Sequence, residues 1–437
     1  MKPVKKLSLL VALAMSLGLV AGCSSTGTNG GKAGVAGPIE ITQPITISFW
    51  HTHSDQGLTA LNNAIAAYKQ KFPNVTIDPV FQGTYSELSQ KLTAAQVAST
   101  LPAMTVLESA LIPQYADSDF MQDLNGYAKA DKVDLADFAE GMLKAYAYNN
   151  KQVALPYMVS TECILYNKDI VDSEKLTIPQ KWGEMEAFLQ KATKFDAAGK
   201  PTRQAMAIGA WDPWYYEPWF LNQGVNLINS NNTTDIASDK SVGIVKQFKQ
   251  WMDKGYLQMP YGKGASTNMR QAFIDGKFVA VEYTTALIDM FVQSCKFNVG
   301  VSFLPGADKR NSMIGGCGIV IPSKISDDQK KAAWTYLNFV TSPEYNIKWA
   351  TDVGYMPTRH SSVKSADGKA FLEKKPQYAA IFNEFDNVSM RIRHSSYTEL
   401  SNYYKEAIGK VCIEGADPAT VLKDAETSMN AVFKELS

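Results

Sequence analysis

His51-Thr52-His53-Ser54-Asp55 is the sharpest run in the chain that could do chemistry. Two imidazoles and a carboxylate directly after a strand can hold Zn²⁺, and an H-x-H-x-D-H run is the cradle of dinuclear metallo-hydrolases. Here the third histidine is replaced by Gln56, and only His360 and His394 remain elsewhere. A two-metal site would be short of nitrogen ligands. The alternative is a polar turn lining a cleft. A second route to hydrolysis is a carboxylate pair, Glu108 with Asp212 or Glu217, whose separation would decide the chemistry. G-x-S-x-G, P-loop and G-x-G-x-x-G motifs are all absent from the sequence. Gly315-Gly316-Cys317-Gly318 lacks the dinucleotide spacing. It reads either as a tight turn into Ile319-Val320-Ile321 or as backbone amides offered to a bound polar group.

Aromatic residues concentrate in Trp211-Asp212-Pro213-Trp214-Tyr215-Tyr216-Glu217-Pro218-Trp219-Phe220. A sugar or polyol has apolar C–H faces and hydroxyl edges, so its site wants flat rings with polar groups at the rim. About half of these rings are expected in a core, with Trp211 or Trp214 first in line to face a ligand.

The elements that must position these residues alternate. Ile45 to Trp50 reads as a strand. Leu58, Leu61, Ile65, Tyr68 and Phe72 share one helical face, with Ser54 or Asp55 as cap and Pro73 past the end. Val75 to Phe81 reads as the next strand, so a βαβ unit and an α/β fold follow. Further helices are predicted at 85–99, 181–195, 240–254 and 327–340. The last starts with a Ser326/Gln329 capping box, and Ser342-Pro343-Glu344 opens another helix. Short strands are predicted at 104–107, 164–166, 278–282, 297–303 and 318–321. No internal repeat is visible.

The 437 residues are 45% apolar and 20% charged, enough for a sizeable core and inconsistent with wholesale disorder. Basic and acidic residues balance at 43 each, so a nucleic-acid partner is disfavoured. Lys2, Lys5 and Lys6 precede the apolar run Leu7–Val20, which ends in Ala21-Gly22-Cys23. This reads as a secretory signal over 1–22, and the small residues before Cys23 resemble a bacterial lipobox. An acylated Cys23 would tether the chain to a membrane face; ordinary cleavage nearby would leave it unremarkable. Residues 23–41, rich in Gly, Ser and Thr, read as a flexible tether. Cys163, Cys295, Cys317 and Cys412 form no C-x-x-C pair, and their spacing leaves reduced thiols and any disulfide pairing open.

The order of local motifs resembles extracellular solute-binding proteins of ABC importers, in the carbohydrate-binding class. The matching segments are Phe49-Trp50-His51, Phe81-Gln82-Gly83-Thr84-Tyr85, Tyr166-Asn167-Lys168-Asp169 and Pro179 to Trp182. They continue with Phe273 to Ala280, Leu304-Pro305-Gly306, and Ser342-Pro343-Glu344 through Trp349 to Gly354-Tyr355-Met356-Pro357. Within the family the chain looks most like the glycerol-3-phosphate-binding branch. That resemblance implies ligand contacts from Tyr85, Glu108, Ser160, Thr284, Gly316 and Tyr355, with Trp211 or Trp214 stacked on the carbon skeleton. An ungapped count puts Glu399 where the branch has an arginine that meets phosphate. A carboxylate there would favour a neutral saccharide, polyol or glycerophosphodiester, whereas Arg391 or Arg393 would restore the charge if the register slips.

The implied fold is two α/β lobes with a central cleft and hinge, of the periplasmic-binding-protein type. The first lobe would be 42–158 and 283–322, the second 159–282 and 323–437, with crossings near 156–161, 283–286 and Pro322. The implied function is capture of a small-molecule sugar, polyol or glycerol-phosphate-type solute by lobe closure and delivery to the transmembrane subunits of an ABC permease. No cofactor or metal is implied. The expected state is an extracytoplasmic monomer, lipid-anchored to the bacterial cell membrane through Cys23. The competing readings are a secreted lipoprotein hydrolase acting on a glycoside or phosphodiester, and a surface adhesion or scaffold protein.

Overall fold

The computed structural model describes residues 38–307 and 310–436. The expected signal, Cys23 and the tether up to residue 37 lie outside the described residues. The end of that tether belongs to the folded body: the Ile39 amide donates to Asp131 Oδ1 at 2.9 Å, and Asn74 donates to the Ile41 carbonyl at 2.8 Å.

Strand β1 (Ile45–His51) alternates, turning Ile47 and Phe49 into the core, as its β-branched and aromatic sequence demands. Helix α1 (Asp55–Lys71) lays Leu61, Ala64 and Tyr68 on the same core and leaves Leu58, expected on that face, exposed. It stops at Phe72, before Pro73. Strand β2 (Val75–Phe81) runs parallel to β1 in a register from Ile45↔Val75 to His51↔Phe81. Helix α2 (Tyr85–Ala98) is opened by a reciprocal Thr84/Glu87 capping box and closed by Ser99 in the left-handed region. Strand β3 (Met104–Leu107) pairs parallel with β1 on its other side.

Strand β4 (Ala154–Asn167) is buried along nearly its whole length. After it come β5 (Pro201–Ala207), α3 (Asp239–Asp253), β6 (Leu257–Gln258), α4 (Ala265–Ile274), β7 (Phe278–Thr284), β8 (Val299–Ser302) and β9 (Ser312–Val320). The first half of β4 pairs antiparallel with β9, which pairs with β3. Its second half pairs antiparallel with β7 and β8, and β7 and β6 flank β5 in parallel. One long strand therefore joins two strand sets. The sequence predicted only 164–166 of it, because a strand buried on both faces carries no period-two signal and Pro156 reads as a breaker. Pro156 is accommodated opposite a register shift between Cys317 and Gly318.

Four long helices complete the chain: α5 (Asp327–Val340), α6 (Pro343–Val353), α7 (Tyr397–Glu414) and α8 (Pro418–Glu435). Ser326 and Ser342 cap α5 and α6 through the amides of Gln329 and Tyr345. Trp334 and Leu337 of α5, with Ile347 and Trp349 of α6, share one core with Ile47, Phe49 and Leu61. Leu400 and Tyr404 of α7, with Leu422 and Phe433 of α8, share a second core with Met206, Ile208, Trp219 and Trp251. The segment 323–437, expected in the second lobe as one block, is thus divided between the two cores. The apolar faces of α5 and α6 meet α1 and β1, whereas α7 and α8 cover the β5 side.

Candidate functional site

Where β4 passes between the two strand sets, it faces three glycines of β9, and an aromatic ring lies over each. A Cβ at Gly315 would come within 2.7 Å of the Trp214 indole and 2.8 Å of Ser160 Oγ. At Gly316, held at φ +80°, it would meet the Met158 carbonyl oxygen at 1.8 Å, with the Tyr355 ring 3.5 Å away. At Gly318 it would meet the Tyr146 ring at 2.8 Å. The tight-turn reading of this stretch does not hold. The glycines lie within a strand, and their missing side chains leave room for rings.

Arg391 is the charge centre. Its side chain is 10% exposed, and one guanidinium nitrogen stands 3.9 Å from Glu108 Oε1. Another donates to the Tyr397 hydroxyl at 2.7 Å, and the Nε proton has no partner. The Tyr397 hydroxyl donates onward to Glu217 Oε1 at 2.8 Å, which also accepts from Tyr404, while Glu217 Oε2 is buried and unpartnered. Burial pushes the Glu108 carboxyl up from its ordinary value; Arg391 pulls part of that back, and Asp212 adds to the rise. Burial also raises Glu217, against Arg391 and its two tyrosine donors. Burial alone would lower Arg391, but Tyr397, Glu217, Asp212 and Glu108 together hold it well above its usual value.

Tyr85 opens α2 and is half-buried. Burial raises its hydroxyl first, with further rises from Cys317, Tyr355 and Glu108, so these four groups are neighbours. Cys317 is buried and pushed up to about 12, a neutral thiol hydrogen-bonded to Tyr85. Tyr85 and Tyr355 line a cavity of about 740 Å³ with Thr52, His53, Ser54 and Phe81, off the carboxyl ends of β1 and β2. Trp211 is half-buried and lines a second cavity of about 420 Å³, off the carboxyl ends of β5 and β6. The loops beyond the carboxyl ends of parallel strands are where open α/β sheets bind ligands. Both indoles stand edge-on to Tyr215, each with ring centroids 5.0 Å away. Trp214 is buried, with its Nε1 unpartnered.

The structure brings Tyr85, Glu108, Ser160, Trp214, Gly316 and Tyr355 into this neighbourhood, with Trp211 at its edge. Thr284 ends β7 opposite Glu162 and caps a short 3₁₀ turn through the Ala286 amide. Glu399 does not join them. Tyr397 and Tyr404 fix the inward face of α7, and a residue two positions past Tyr397 lies about 200° around the helix. Glu399 is accordingly exposed, whereas Arg391 is a buried cation already faced by Glu108 and Glu217. Tyr146, Tyr397 and Cys317 were not expected; the seven-residue spacing of Tyr397 and Tyr404 was the one visible signal.

The histidine run lines the larger cavity, as the polar-turn reading expects, and packs against it. Burial lowers His51 to about 4 and His53 to about 3, with His51 adding to the shift of His53, so both rings are neutral at physiological pH. His53 packs edge-on to Trp349, and no group of three or more His, Cys, Asp or Glu side chains among the described residues could hold a metal ion. Beneath the site are two buried carboxyls that sequence reasoning passed over. Glu162 accepts from the Met313 amide at 2.8 Å, and Glu282 from Trp219 at 2.6 Å. Burial pushes Glu162 up to about 8. All four cysteines after Cys23 are free.

A family model described as bacterial extracellular solute-binding protein matches residues 63–408. The sn-glycerol-3-phosphate-binding periplasmic protein UgpB of Salmonella typhimurium is 22% identical over 354 residues, 76% of this chain and 78% of that protein. Among solved structures, UgpB from Mycobacterium tuberculosis in complex with glycerophosphocholine superposes with TM-score 0.78 at 21% identity, covering 92% of this chain and all of that one. The sugar-binding protein MalE from Xanthomonas citri gives 0.79 at 17%, covering 90% and 98%. The fold shared with these structures is the two-lobed α/β fold of periplasmic binding proteins, with its central cleft and hinge.

Proposed function

The chain belongs to the bacterial extracellular solute-binding proteins, and from that premise we propose how it captures its solute. It is the substrate-binding component of an ABC importer for a sugar-, polyol- or glycerophosphate-type solute. We assign the ligand contacts to Tyr85, Glu108, Ser160, Trp211, Trp214, Thr284, Gly316 and Tyr355, add Arg391 and Glu217, and remove Glu399. The observation that carries this is the set of buried polar atoms left without partners around the glycine strand: Trp214 Nε1, Arg391 Nε, Glu217 Oε2 and the Tyr146 hydroxyl. Unpaired buried donors and acceptors are costly, and a guest rich in hydroxyls supplies what they lack.

The mechanism is capture without turnover. A ligand bridging the lobes favours the closed state by its differential affinity alone, and the permease reads that state. The lobe division proposed here keeps 42–158 and 283–322 in the first lobe and 159–282 in the second. The packing of α5 and α6 supports moving 323–388 to the first lobe, leaving 397–437 with the second. Acylation at Cys23 after removal of 1–22, with 23–37 as tether, would keep a monomeric binding protein beside its permease. The test is a thermal-shift panel of sugars, polyols, glycerol-3-phosphate and glycerophosphodiesters, with product analysis of each mixture. A rise in melting temperature without product is expected. Conversion of any compound, or a flat response to all of them, would defeat the reading.

A further inference from the structure

The cavity beyond Trp211 differs in charge from the rest of the site. Lys263, in the turn that follows β6, and Lys405, on α7, both line it, together with Tyr261 and Ser266. Neither lysine makes an ion pair or side-chain hydrogen bond among the described residues, whereas other lysines of α3 and α6, such as Lys249 and Lys348, are paired one turn away. No carboxylate among the described residues lines the cavity. The Ser266 hydroxyl is engaged by Tyr283, and Glu406 bears on the Tyr261 hydroxyl from an exposed position. Two lysines from separate elements, Lys263 exposed and Lys405 half-buried, thus line one concave space that no carboxylate among the described residues shares.

We propose that this cavity receives an anionic group, a carboxylate or a phosphate, carried by the solute whose hydroxyl-rich part occupies the central site. The inference rests on the capture reading above and deepens it: the solute is an acidic or phosphorylated saccharide or polyol. Rings connect the two places. Trp214 lies over Gly315, Tyr215 stands between Trp214 and Trp211, and Trp211 forms the cavity wall. This aromatic path is packed, with Trp214 and Tyr215 each 7% exposed, and a carbon skeleton lying against the half-buried Trp211 at its end reaches the lysines. Arg391 suits an anion less well, because Glu108, Asp212 and Glu217 already face it and would repel a phosphate. Lysines are point charges with rotatable donors, so either anion satisfies them.

The experiment compares three pairs by calorimetry on the intact protein: glucose with glucuronate, glucose with glucose 6-phosphate, and glycerol with glycerol-3-phosphate. The first pair reports on a carboxylate and the other two on a phosphate. At least one anionic probe should bind about tenfold or more tighter than its neutral counterpart, with an advantage that shrinks at high salt. In Lys263→Gln/Lys405→Gln that ratio should fall toward one, while the ligand-free melting temperature holds. Equal or tighter binding of every neutral probe overturns the inference and leaves the capture reading standing. So does an anion preference that survives the double variant and is lost in Arg391→Gln. Silence from all probes overturns both.

Discussion

Two cavities lie off the carboxyl ends of two sets of parallel strands, and they are built from opposite chemistry. The one off β1 and β2 is about 740 Å³ and is lined by hydroxyls of Thr52, Ser54, Tyr85 and Tyr355, the neutral imidazole of His53 and the exposed ring of Phe81. Its carboxylate among the described side chains, Glu87, is spent in the capping box of α2. The one off β5 and β6 is about 420 Å³ and carries two unpaired lysines beside an indole. Neutral hydrogen bonds ignore ionic strength, whereas exposed charges are screened by it. Salt therefore separates the contributions of the two walls.

The largest effect should come from Arg391→Met. Removing a guanidinium 90% buried deletes the contacts proposed for it and leaves Glu108 and Glu217 without their cation. Breaking a buried charge pair from one side costs about 3–5 kcal/mol. Affinity for whichever probe binds should fall more than about 100-fold, and the melting temperature should drop. Adding Glu108→Gln should recover part of the melting temperature and none of the affinity. Recovery of both would show that Arg391 only balances charge and contacts no ligand.

Next in size are the indoles, which divide the comparison more finely. Trp211→Ala removes a half-buried ring from the cavity wall and should weaken binding about tenfold to 100-fold with little change in melting temperature. Trp214→Ala should weaken binding similarly and also destabilise, because its ring is 7% exposed and packed on Met313. If Trp211→Ala binds as the wild type does, the aromatic path between the walls is wrong.

Much of the first wall was legible in the sequence. A capping box and β-rich runs are local signals, and they gave α5, β1 and β2 to within a residue or two, whereas the capping box of α2 was overlooked. The second wall was hidden. Strand β5 and helices α7 and α8 escaped prediction, and Lys263 and Lys405 are 142 positions apart with no motif to link them. The misplacement of Glu399 has the same origin. An ungapped count carries no information about which face of a helix turns inward; that is set by Tyr397 and Tyr404 reaching Glu217.

Between the walls, β4 carries a titrating group whose effect on stability has a definite sign. Glu162 is pushed up by burial to about 8 from an ordinary 4.5. Unfolded chain loses this proton near pH 4.5 and folded chain keeps it to about 8, so stability falls as pH rises across that window. The histidines tilt the other way. His51 and His53 are lowered by burial, so their contribution is present above 6.5 and lost in acid. From pH 6.5 to 8 only Glu162 of these three acts. Glu162→Gln keeps an acceptor for the Met313 amide and should flatten the fall in that range, raising the melting temperature at pH 8 by about 2–4 °C or more. Parallel curves for variant and wild type would mean that Glu162 is ionised at neutral pH.

The smallest effects should come from the neutral wall, and their size is informative. Tyr85→Phe and Tyr355→Phe each delete one hydroxyl and keep the ring. A neutral hydrogen bond contributes about 0.5–1.5 kcal/mol net, so each variant should bind about twofold to tenfold more weakly. Burial raises both hydroxyls well above their ordinary range, so they remain protonated donors at any working pH. The fold-loss should therefore be the same at low and high salt and from pH 6 to 8, unlike the salt-dependent loss expected from the lysines. A loss in Tyr85→Phe that grows as salt falls would mean that the hydroxyl acts by orienting charge at Glu108, in which case the two walls are electrostatically one.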